Sequence, residues 1–286
     1  MKIFITGINS FVGKELVKVL KKKRLKFTGC DINKDNNFFR SDIRNKKISR
    51  IIPISSIVVH LAALSNEKVC SKNKRKAYDI NVNGTINLLK ACSKKKCKQF
   101  IFASTEWVYG ERKNSKISKE NDILKLNDLS SYYAKTKLLN ERYLEKNSFN
   151  FPVTILRFGI IYGPRKSNWS AVENIMSTIK RSNKIIVGSK KTARKFIHVT
   201  DVASGIVKTF NAKKNATYNL GGNKLVSLKE LISKSCYIYK KKVEVFEVNK
   251  YKSNIRNISS QKISNDLKWS PKINIEGGLK TLKKFV

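Results

Sequence analysis

The stretch that decides the fold is KIFITGINSFVG, residues 2–13. Its first half, up to Thr6, is largely apolar and β-branched, which predicts a short buried strand. Gly7, Ser10 and Gly13 follow as small residues of a turn, and an apolar pattern of helical period begins after Gly13. The stretch therefore predicts a strand, a glycine turn and a helix, which open a βαβ unit.

The glycine turn has a chemical meaning of its own. A turn between a strand and a helix leaves backbone N–H groups and the positive helix end facing outward, where a pyrophosphate can bind. Gly7, Ser10 and Gly13 have the spacing Gly-x-x-Gly-x-x-Gly, with serine in the middle slot. The serine adds a Cβ at a position where the backbone should approach a ligand closely. The turn predicts a phosphate-binding element.

An acidic residue at the end of the second apolar run supports this interpretation. The run 25–30 ends at Asp31, about 18 residues beyond Gly13. A carboxylate there accepts both ribose hydroxyls of NAD and repels the 2′-phosphate of NADP. The sequence therefore predicts a dinucleotide site with NAD as the cofactor, while Lys34 leaves NADP as an alternative.

Strand and helix patterns alternate along the rest of the chain. Strands are predicted at 57–61, 99–103 and 153–158, and helices at 74–93 and 130–146. This alternation predicts an α/β fold with a doubly wound parallel sheet of the Rossmann type. After Pro164 the pattern becomes irregular and predicts a smaller C-terminal α/β domain, with strands at 185–187, 195–199 and 243–248 and helices at 170–181, 200–210 and 228–239.

The composition is that of a globular chain in a reducing compartment. The 286 residues are 41% hydrophobic, which suits one large or two modest domains. The five cysteines are an odd number without a Cys-x-x-Cys pair, so neither a disulfide framework nor a metal site is expected. No apolar run approaches the roughly 18 residues of a membrane span. We therefore expect a cytoplasmic protein without a membrane span.

The charge balance raises a different function class. Lys and Arg number 61 and Asp and Glu 20, which gives a net charge of +41. Such a field attracts polyanions, so a Rossmann-fold RNA-binding protein is a candidate. Coding bias toward Ile, Asn and Lys is the other explanation. The lysines are scattered at predicted helix ends and turns instead of being gathered with stacking aromatics, which argues against nucleic acid as the partner.

Two residues in the predicted helix 130–146 carry catalytic chemistry. Tyr133 and Lys137 are four residues apart and share one helix face. An ammonium one turn from a phenol favours the phenolate and lowers a pKa that is ordinarily about 10. Thr105 follows the predicted strand 99–103 and adds a hydroxyl. The set predicts a general base acting on an alcohol.

With these motifs the chain resembles the extended short-chain dehydrogenase/reductases, in particular their NAD-dependent sugar-nucleotide epimerase/dehydratase branch. Further segments resemble the landmarks of this branch in the same order, and they lie at 42–43, 60–63, 81–85, 156–164, 194–203 and 218–222. The resemblance implies an NAD-binding domain over 1–163 with a return segment at 194–210. It implies a substrate-binding domain over 164–193 and 211–286.

The resemblance also implies the site residues. Thr105, Tyr133 and Lys137 would be catalytic, and Thr105, Glu106 and Arg194 would bind the substrate, with Arg194 on the nucleotide diphosphate. The residues expected to bind the cofactor are Gly7, Ser10, Phe11, Val12, Gly13, Asp31, Asp42, Ile43, Leu61, Ala62, Ala63, Asn81, Tyr133 and Lys137. No metal is expected.

The reaction follows from one departure from the pattern. Dehydratases of this branch carry an Asp-Glu pair directly after the catalytic threonine, where this chain has Glu106 and Trp107. Without the second carboxylate, the resemblance implies an NAD-dependent epimerase that acts on a nucleotide-activated sugar through a transient 4-keto intermediate. A keto-sugar reductase or dehydrogenase is the alternative, and Ile160 replaces an asparagine that often binds substrate.

Members of this branch commonly form homodimers by packing helices that correspond to 74–93 and 130–146 into a four-helix bundle. Their usual setting is polysaccharide biosynthesis. The resemblance therefore implies a homodimer with a nucleotide-sugar substrate.

Overall fold

The structure is a computed structural model, and it describes residues 1–111, 116–167 and 169–286. The chain divides into two compact units. The first unit comprises Met1–Gly110, Ile123–Arg157 and Ile206–Tyr218. The second unit comprises Glu111–Asp122, Phe158–Gly205 and Asn219–Val286.

The elements alternate as the sequence predicts. The strands are β1 (Lys2–Thr6), β2 (Lys26–Asp31), β3 (Phe39–Arg40), β4 (Ile57–His60), β5 (Gln99–Thr105), β6 (Ile117–Ser118), β7 (Val153–Phe158), β8 (Ile161–Tyr162), β9 (Lys184–Val187), β10 (Ala193–Arg194), β11 (Ile197–His198), β12 (Ala216–Leu220), β13 (Val226–Ser227), β14 (Glu244–Glu247) and β15 (Ile255–Ile258). The helices are α1 (Phe11–Lys22), α2 (Glu67–Lys72), α3 (Lys74–Tyr78), α4 (Gly84–Lys94), α5 (Tyr132–Lys146), α6 (Ala171–Arg181), α7 (Val199–Lys208), α8 (Leu228–Tyr239), α9 (Gln261–Leu267) and α10 (Ile275–Leu282).

The main sheet confirms the predicted fold class. Over the described residues it has seven strands in the order β12-β7-β5-β4-β1-β2-β3. The pairs β1–β2, β1–β4, β2–β3 and β4–β5 are parallel. Strand order reverses between β1 and β4, and in doubly wound sheets ligands bind at the carboxyl ends of the strands at such a switch point.

Burial explains why these strands are nearly continuous apolar runs. Phe4, Val58, Phe100 and Phe102 are fully buried in one core cluster of the first unit, together with Leu88 of α4. A parallel sheet covered on both faces requires apolar side chains on both sides of each strand. The sheet therefore provides a rigid platform for the loops at its carboxyl edge.

The second unit is built from shorter elements. Its strands form a four-stranded sheet in the order β13-β10-β15-β6 and the pairs β11–β8 and β14–β9. Helices α6, α8 and α10 pack their apolar faces together through Val172, Met176, Leu231 and Leu279. Ser170 and Glu173 form a capping box that begins α6. No described helix in either unit is long and apolar enough to span a membrane.

Two predicted elements differ from the structure. Of the predicted strand 195–199, only Ile197–His198 forms a strand, β11, which pairs with β8; β10 lies just before this range and pairs with β13 and β15. The predicted helix 74–93 is interrupted by a π-helical segment, Asp79–Asn83, between α3 and α4. Neither difference can be recognised from the spacing of the apolar residues in the sequence.

The compact units also differ from the predicted domain limits. The first unit gains its returning segment at Ile206–Tyr218 instead of at 194–210, because β10 pairs within the second unit. The second unit includes Glu111–Asp122, since β6 pairs with β15. Pairings between strands distant in sequence set these limits.

Candidate active site

The glycine turn after β1 is sterically tight. Gly7 has a φ of +68°, and a Cβ built there would lie 2.8 Å from the backbone nitrogen of Ala62. A Cβ built on Gly13 would lie 2.4 Å from the carbonyl oxygen of Ile8. Because backbone atoms block both positions, the turn requires glycine at each of them.

Ser10, in the middle slot of the turn, has a structural role as the cap of helix α1. Its backbone is extended, and its hydroxyl oxygen accepts the Gly13 amide at 3.1 Å as the N-cap of α1. The first turn of α1, which includes Phe11 and Val12, carries no acidic side chain. The positive end of the helix is thus available to an anion, as pyrophosphate binding requires.

Asp31 lies beside this turn. Its carboxylate accepts the backbone amides of Asn9 and Asn33, each at 3.1 Å. The backbone amide of Gly7 donates to the carbonyl of Cys30 at 2.9 Å, which holds the turn against the end of β2. The predicted phosphate turn and the predicted ribose carboxylate therefore occur together at one edge of the sheet.

The segment after β4 forms the other side of the turn. Leu61 donates its amide to the Thr6 carbonyl at 3.1 Å, and the Ala62 amide approaches the Thr6 hydroxyl oxygen at 3.4 Å. These bonds place Leu61 and Ala62 against Gly7, and Ala63 follows them in the segment where the sequence predicts cofactor contacts.

Asn81 supports this segment. Its side-chain oxygen accepts the Leu64 amide at 2.8 Å, and its nitrogen donates to the Leu64 carbonyl and the Thr136 hydroxyl, both at 3.0 Å. The side chain is 2% exposed. These bonds support the segment that follows β4, and a direct contact of Asn81 with the cofactor stays a prediction.

The two residues at 42–43 have different surroundings. The Ile43 side chain is buried in the core of the first unit, and a cofactor contact of Ile43 stays a prediction. The Asp42 carboxylate is held by Arg44, whose Nη2 lies 2.7 Å from Oδ2, and Arg44 also contacts Asp79. Hydrogen bonding from Arg44 lowers the pKa of Asp42. An adenine contact through Asp42 stays a prediction.

The catalytic pair lies at the carboxyl end of β5. The Lys137 Nζ donates to the carbonyl of Ala103 at 2.7 Å and lies 5.7 Å from the centre of the Tyr133 ring. Thr105 ends the strand, and its hydroxyl oxygen accepts the Trp107 amide at 3.3 Å. Helix α5 and strand β5 thus bring the three predicted catalytic residues to one region of the first unit.

Burial dominates the electrostatics of this pair. It raises the pKa of Tyr133 above the ordinary value, with a smaller contribution from Cys70. It lowers the pKa of Lys137 to about 7, against the opposing effect of Glu141. The prediction that the tyrosine pKa is lowered is wrong for this structure, because burial disfavours the phenolate and raises the pKa.

Glu106 and Trp107 follow Thr105 in a 3₁₀ turn, Glu106–Tyr109. Glu106 is fully buried, which rules out a solvated surface role. The Trp107 ring meets the Tyr133 ring edge-on at a centroid distance of 6.5 Å and an angle of 79°. An aromatic ring thus occupies the slot in which dehydratases carry their second carboxylate, and substrate contact by Glu106 stays a prediction.

Arg194 belongs to the second unit, where it lies in β10. Its Nη1 donates to the carbonyl of Ala193 at 2.7 Å and to the carbonyl of Asn254. These bonds orient the guanidinium, which suits a fixed anion donor. Its contact with a nucleotide diphosphate stays a prediction.

Sequence reasoning missed a buried network behind the catalytic pair. Arg157 of β7 lies 2.7 Å from Glu141 of α5, and these side chains are 3% and 1% exposed. Glu141 also accepts the Ser104 hydroxyl, and Arg157 donates to the Tyr109 hydroxyl at 2.9 Å. The available signal was the spacing, because Glu141 follows Lys137 by one helical turn on the same face.

These features define the class of protein. A glycine turn, a ribose carboxylate and a Tyr-Lys pair on a doubly wound sheet are the parts of a nicotinamide-dependent enzyme of alcohols and ketones. The profile of the NAD dependent epimerase/dehydratase family matches residues 3–221, and the chain belongs to this family. The family is NAD dependent, which confirms the predicted cofactor.

Individual relatives cover nearly the whole chain. The UDP-glucuronate 4-epimerase of Thermodesulfobacterium geofontis is 27% identical and aligns over 96% of this chain and 93% of its own. The human dTDP-D-glucose 4,6-dehydratase is 25% identical over 93% of this chain and 76% of its own. Among solved structures, a mutant UDP-glucuronic acid 4-epimerase from Bacillus cereus, in complex with UDP-4-deoxy-4-fluoro-glucuronic acid and NAD, is 25% identical. It has a TM-score of 0.88 and covers 100% of this chain and 98% of its own.

The tight packing at Gly13 gives a prediction for cofactor binding. Gly13→Ala should weaken NAD binding about tenfold or more, equivalent to about 1.4 kcal/mol, because the added methyl group displaces the turn. Titration calorimetry on cofactor-free protein measures the effect. Gly188→Ala is the matched control, since a Cβ there meets nothing within 4 Å. Equal NAD affinity in both variants would show that the turn does not hold the cofactor.

The lowered pKa of Lys137 predicts a pH-dependent stability. Between pH 7 and 10 the unfolded chain keeps a proton that folded Lys137 has released, so this residue makes the free energy of unfolding rise with pH. The slope is at most about 1.4 kcal/mol per pH unit. Urea denaturation of cofactor-free wild type and Lys137→Met should show the wild type gaining stability relative to the variant over this range. Lys135→Met, on the same helix, should follow the wild type, and parallel curves for Lys137→Met would contradict the assignment.

The buried pair predicts a large loss of stability. Glu141→Gln leaves the Arg157 charge buried without its carboxylate, which should cost about 3–5 kcal/mol of the free energy of unfolding. Denaturant unfolding measures the loss. Glu276→Gln removes an exposed pair with Lys280 and should change stability by about 1 kcal/mol or less. Equal losses in the two variants would refute a special role for the buried pair.

Proposed function

We propose that the chain is an NAD-dependent epimerase that acts on a nucleotide-activated sugar through a transient 4-keto intermediate. One observation carries the proposal. Tyr133 and Lys137 lie at the end of β5 beside Thr105, while the Trp107 ring packs against Tyr133 in the slot of the second dehydratase carboxylate. The site has the groups needed for alcohol oxidation and lacks the pair of carboxylates needed for water elimination.

The first unit offers a fitting cofactor site. The Gly7–Gly13 turn would hold the pyrophosphate, Asp31 the adenosine ribose, and Lys137 the nicotinamide ribose. When bound, NAD supplies reversible hydride transfer at the sugar C4. The fit rests on a turn that a Cβ would fill at Gly7 and Gly13 and on an α1 N-terminus without an acidic side chain in its first turn.

Proton transfer falls to Tyr133. Its phenolate oxygen would take the proton of the sugar 4-hydroxyl on oxidation, and the resulting phenol would return the proton on reduction. Because burial disfavours the phenolate, the nearby positive charge of protonated Lys137 is needed to form it. The Thr105 hydroxyl would hydrogen-bond the sugar O4 as it changes between hydroxyl and carbonyl. A keto sugar held loosely enough to turn its other face would complete the epimerisation.

The proposed substrate class is that of the relatives, and two residues of this chain support it. The 4-epimerase relatives act on UDP-linked sugars by name. Arg194 offers an oriented guanidinium for a diphosphate, and Glu106 lies next to Thr105. The competing reductase or dehydrogenase uses the same residues and differs in its net consumption or production of NADH.

Assembly and location are part of the proposal. Tyr78 on α3 is 41% exposed. Because aromatic side chains are enriched at protein interfaces, Tyr78 supports a homodimer in which helices α3 to α5 of the two copies pack together. The five cysteines are all free thiols, which supports a reducing cytoplasmic compartment.

Removing the Tyr133 hydroxyl tests the catalytic assignment. Tyr133→Phe should lower kcat for epimerisation by about 10²–10⁴-fold, because the proton has no acceptor, while NAD binding is retained. Tyr132→Phe changes the adjacent phenol and should keep wild-type activity. Product formation is followed by proton NMR on a panel of UDP-sugars. Full activity in Tyr133→Phe would overturn the assignment.

The absorbance at 340 nm separates the two candidate reactions. An epimerase converts the sugar with no net NADH at the end of the reaction. Stoichiometric accumulation or consumption of NADH with the same UDP-sugars would establish the dehydrogenase or reductase instead. If neither NAD nor NADP binds, the catalytic proposal fails altogether.

A further inference from the structure

An acidic side chain from a neighbouring helix binds the first turn of the catalytic helix. Glu67, the first residue of α2, accepts the backbone amides of Tyr132 and Tyr133, each at 3.0 Å, on its two carboxylate oxygens. The hydroxyl of Ser131 donates to the same carboxylate, and so does that of Ser71. One carboxylate therefore accepts four hydrogen bonds.

Helix α5 needs an anion at this position. The first amides of a helix have no partner within the helix, and the helix dipole makes this end positive. Ser131 caps α5 by accepting the Ala134 amide, which leaves the amides of Tyr132 and Tyr133 to other acceptors. The first turn of α5 has no acidic residue of its own. Glu67 supplies the missing charge from outside the helix.

The charge is stable at neutral pH. Burial by itself would raise the pKa of Glu67, but the hydrogen bonds from Ser131, Ser71 and the two amides outweigh it, and the pKa is lowered. Hydrogen bonds to a charged acceptor are roughly twice as strong as neutral ones. The contact is thus a firm attachment between α2 and α5.

The other end of this attachment is the predicted cofactor segment. Helix α2 begins three residues after Leu64, and Leu64 is bound by both polar atoms of the Asn81 amide. The Cys70 thiol of α2 also donates to the Leu64 carbonyl at 3.2 Å. Glu67 therefore stands between the segment that packs against the glycine turn and the backbone of Tyr133.

From these contacts we infer that Glu67 is a positioning residue for Tyr133, which fixes the start of α5 relative to the cofactor segment. The inference rests on the proposed function for Tyr133. Glu67 touches no reacting atom, and its effect passes through two backbone amides. A misplacement of the phenol by about 1 Å is enough to cost about 10²-fold in rate.

The test compares Glu67→Ala, Glu67→Gln and wild type. Glu67→Ala should lower kcat by about tenfold to a hundredfold while KM for the UDP-sugar stays within about twofold, because the alcohol-binding groups remain in place. Glu67→Gln keeps one acceptor oxygen and should recover part of the loss. Glu230→Ala, an exposed glutamate in the first turn of α8, is the matched control and should keep the wild-type kcat.

Hydrogen exchange of the peptide containing Tyr132 and Tyr133 provides a readout that does not depend on turnover. In cofactor-free protein, Glu67→Ala should speed exchange of these two amides and Glu230→Ala should not. Unchanged exchange, or an unchanged kcat in Glu67→Ala, would overturn the inference. If the wild type is inactive on every nucleotide sugar, the proposed function fails, and the exchange data alone decide whether Glu67 holds the start of α5.

Discussion

The buried ion pair between Glu141 and Arg157 is the interaction on which the arrangement of Tyr133, Lys137 and Thr105 depends. It joins helix α5 to strand β7, and through Ser104 and Tyr109 it also joins both to β5 and the turn that follows it. Two charges removed from water are costly unless they are hydrogen-bonded, and here Arg157 donates to Glu141 and Tyr109 while Glu141 also accepts from Ser104. Because the same helix presents Tyr133 and Lys137, the pair fixes the catalytic side chains relative to Thr105.

Burial of Lys137 lowers the stability of the fold and changes the acid–base chemistry of the side chain. A buried ammonium destabilises the fold, and the nearby Glu141 only partly offsets this, so the pKa of Lys137 falls to about 7. A lysine whose pKa lies near neutral pH, placed beside a phenol, can change its protonation state in response to small changes in its surroundings. Tyr133 therefore depends on a protonated Lys137 to reach the phenolate form that would accept the proton of the sugar hydroxyl.

Much of the fold and part of the site could be predicted from the sequence. The strand-turn-helix at 2–13 and the alternation of apolar runs are local patterns, so they predict the sheet and the glycine turn correctly. The contact of Asn81 with Thr136 and the short extent of β11 could not be predicted, because Thr136 and β8 are distant in sequence from their partners. The tyrosine pKa was mispredicted for a related reason: spacing indicates the nearby ammonium but gives no measure of burial. Glu67 has no sequence signal, since its acceptor role exists only where α2 meets α5.

In the proposed epimerisation, hydride leaves C4 of a nucleotide sugar and returns to the same carbon. The most direct measurement follows a UDP-hexose that carries deuterium at C4 through the reaction by NMR and mass spectrometry. We expect a 4-epimer that keeps its deuterium at C4, with no net change in absorbance at 340 nm. Deuterium that accumulates in NADH, or that leaves C4 for another carbon of the sugar, would contradict it.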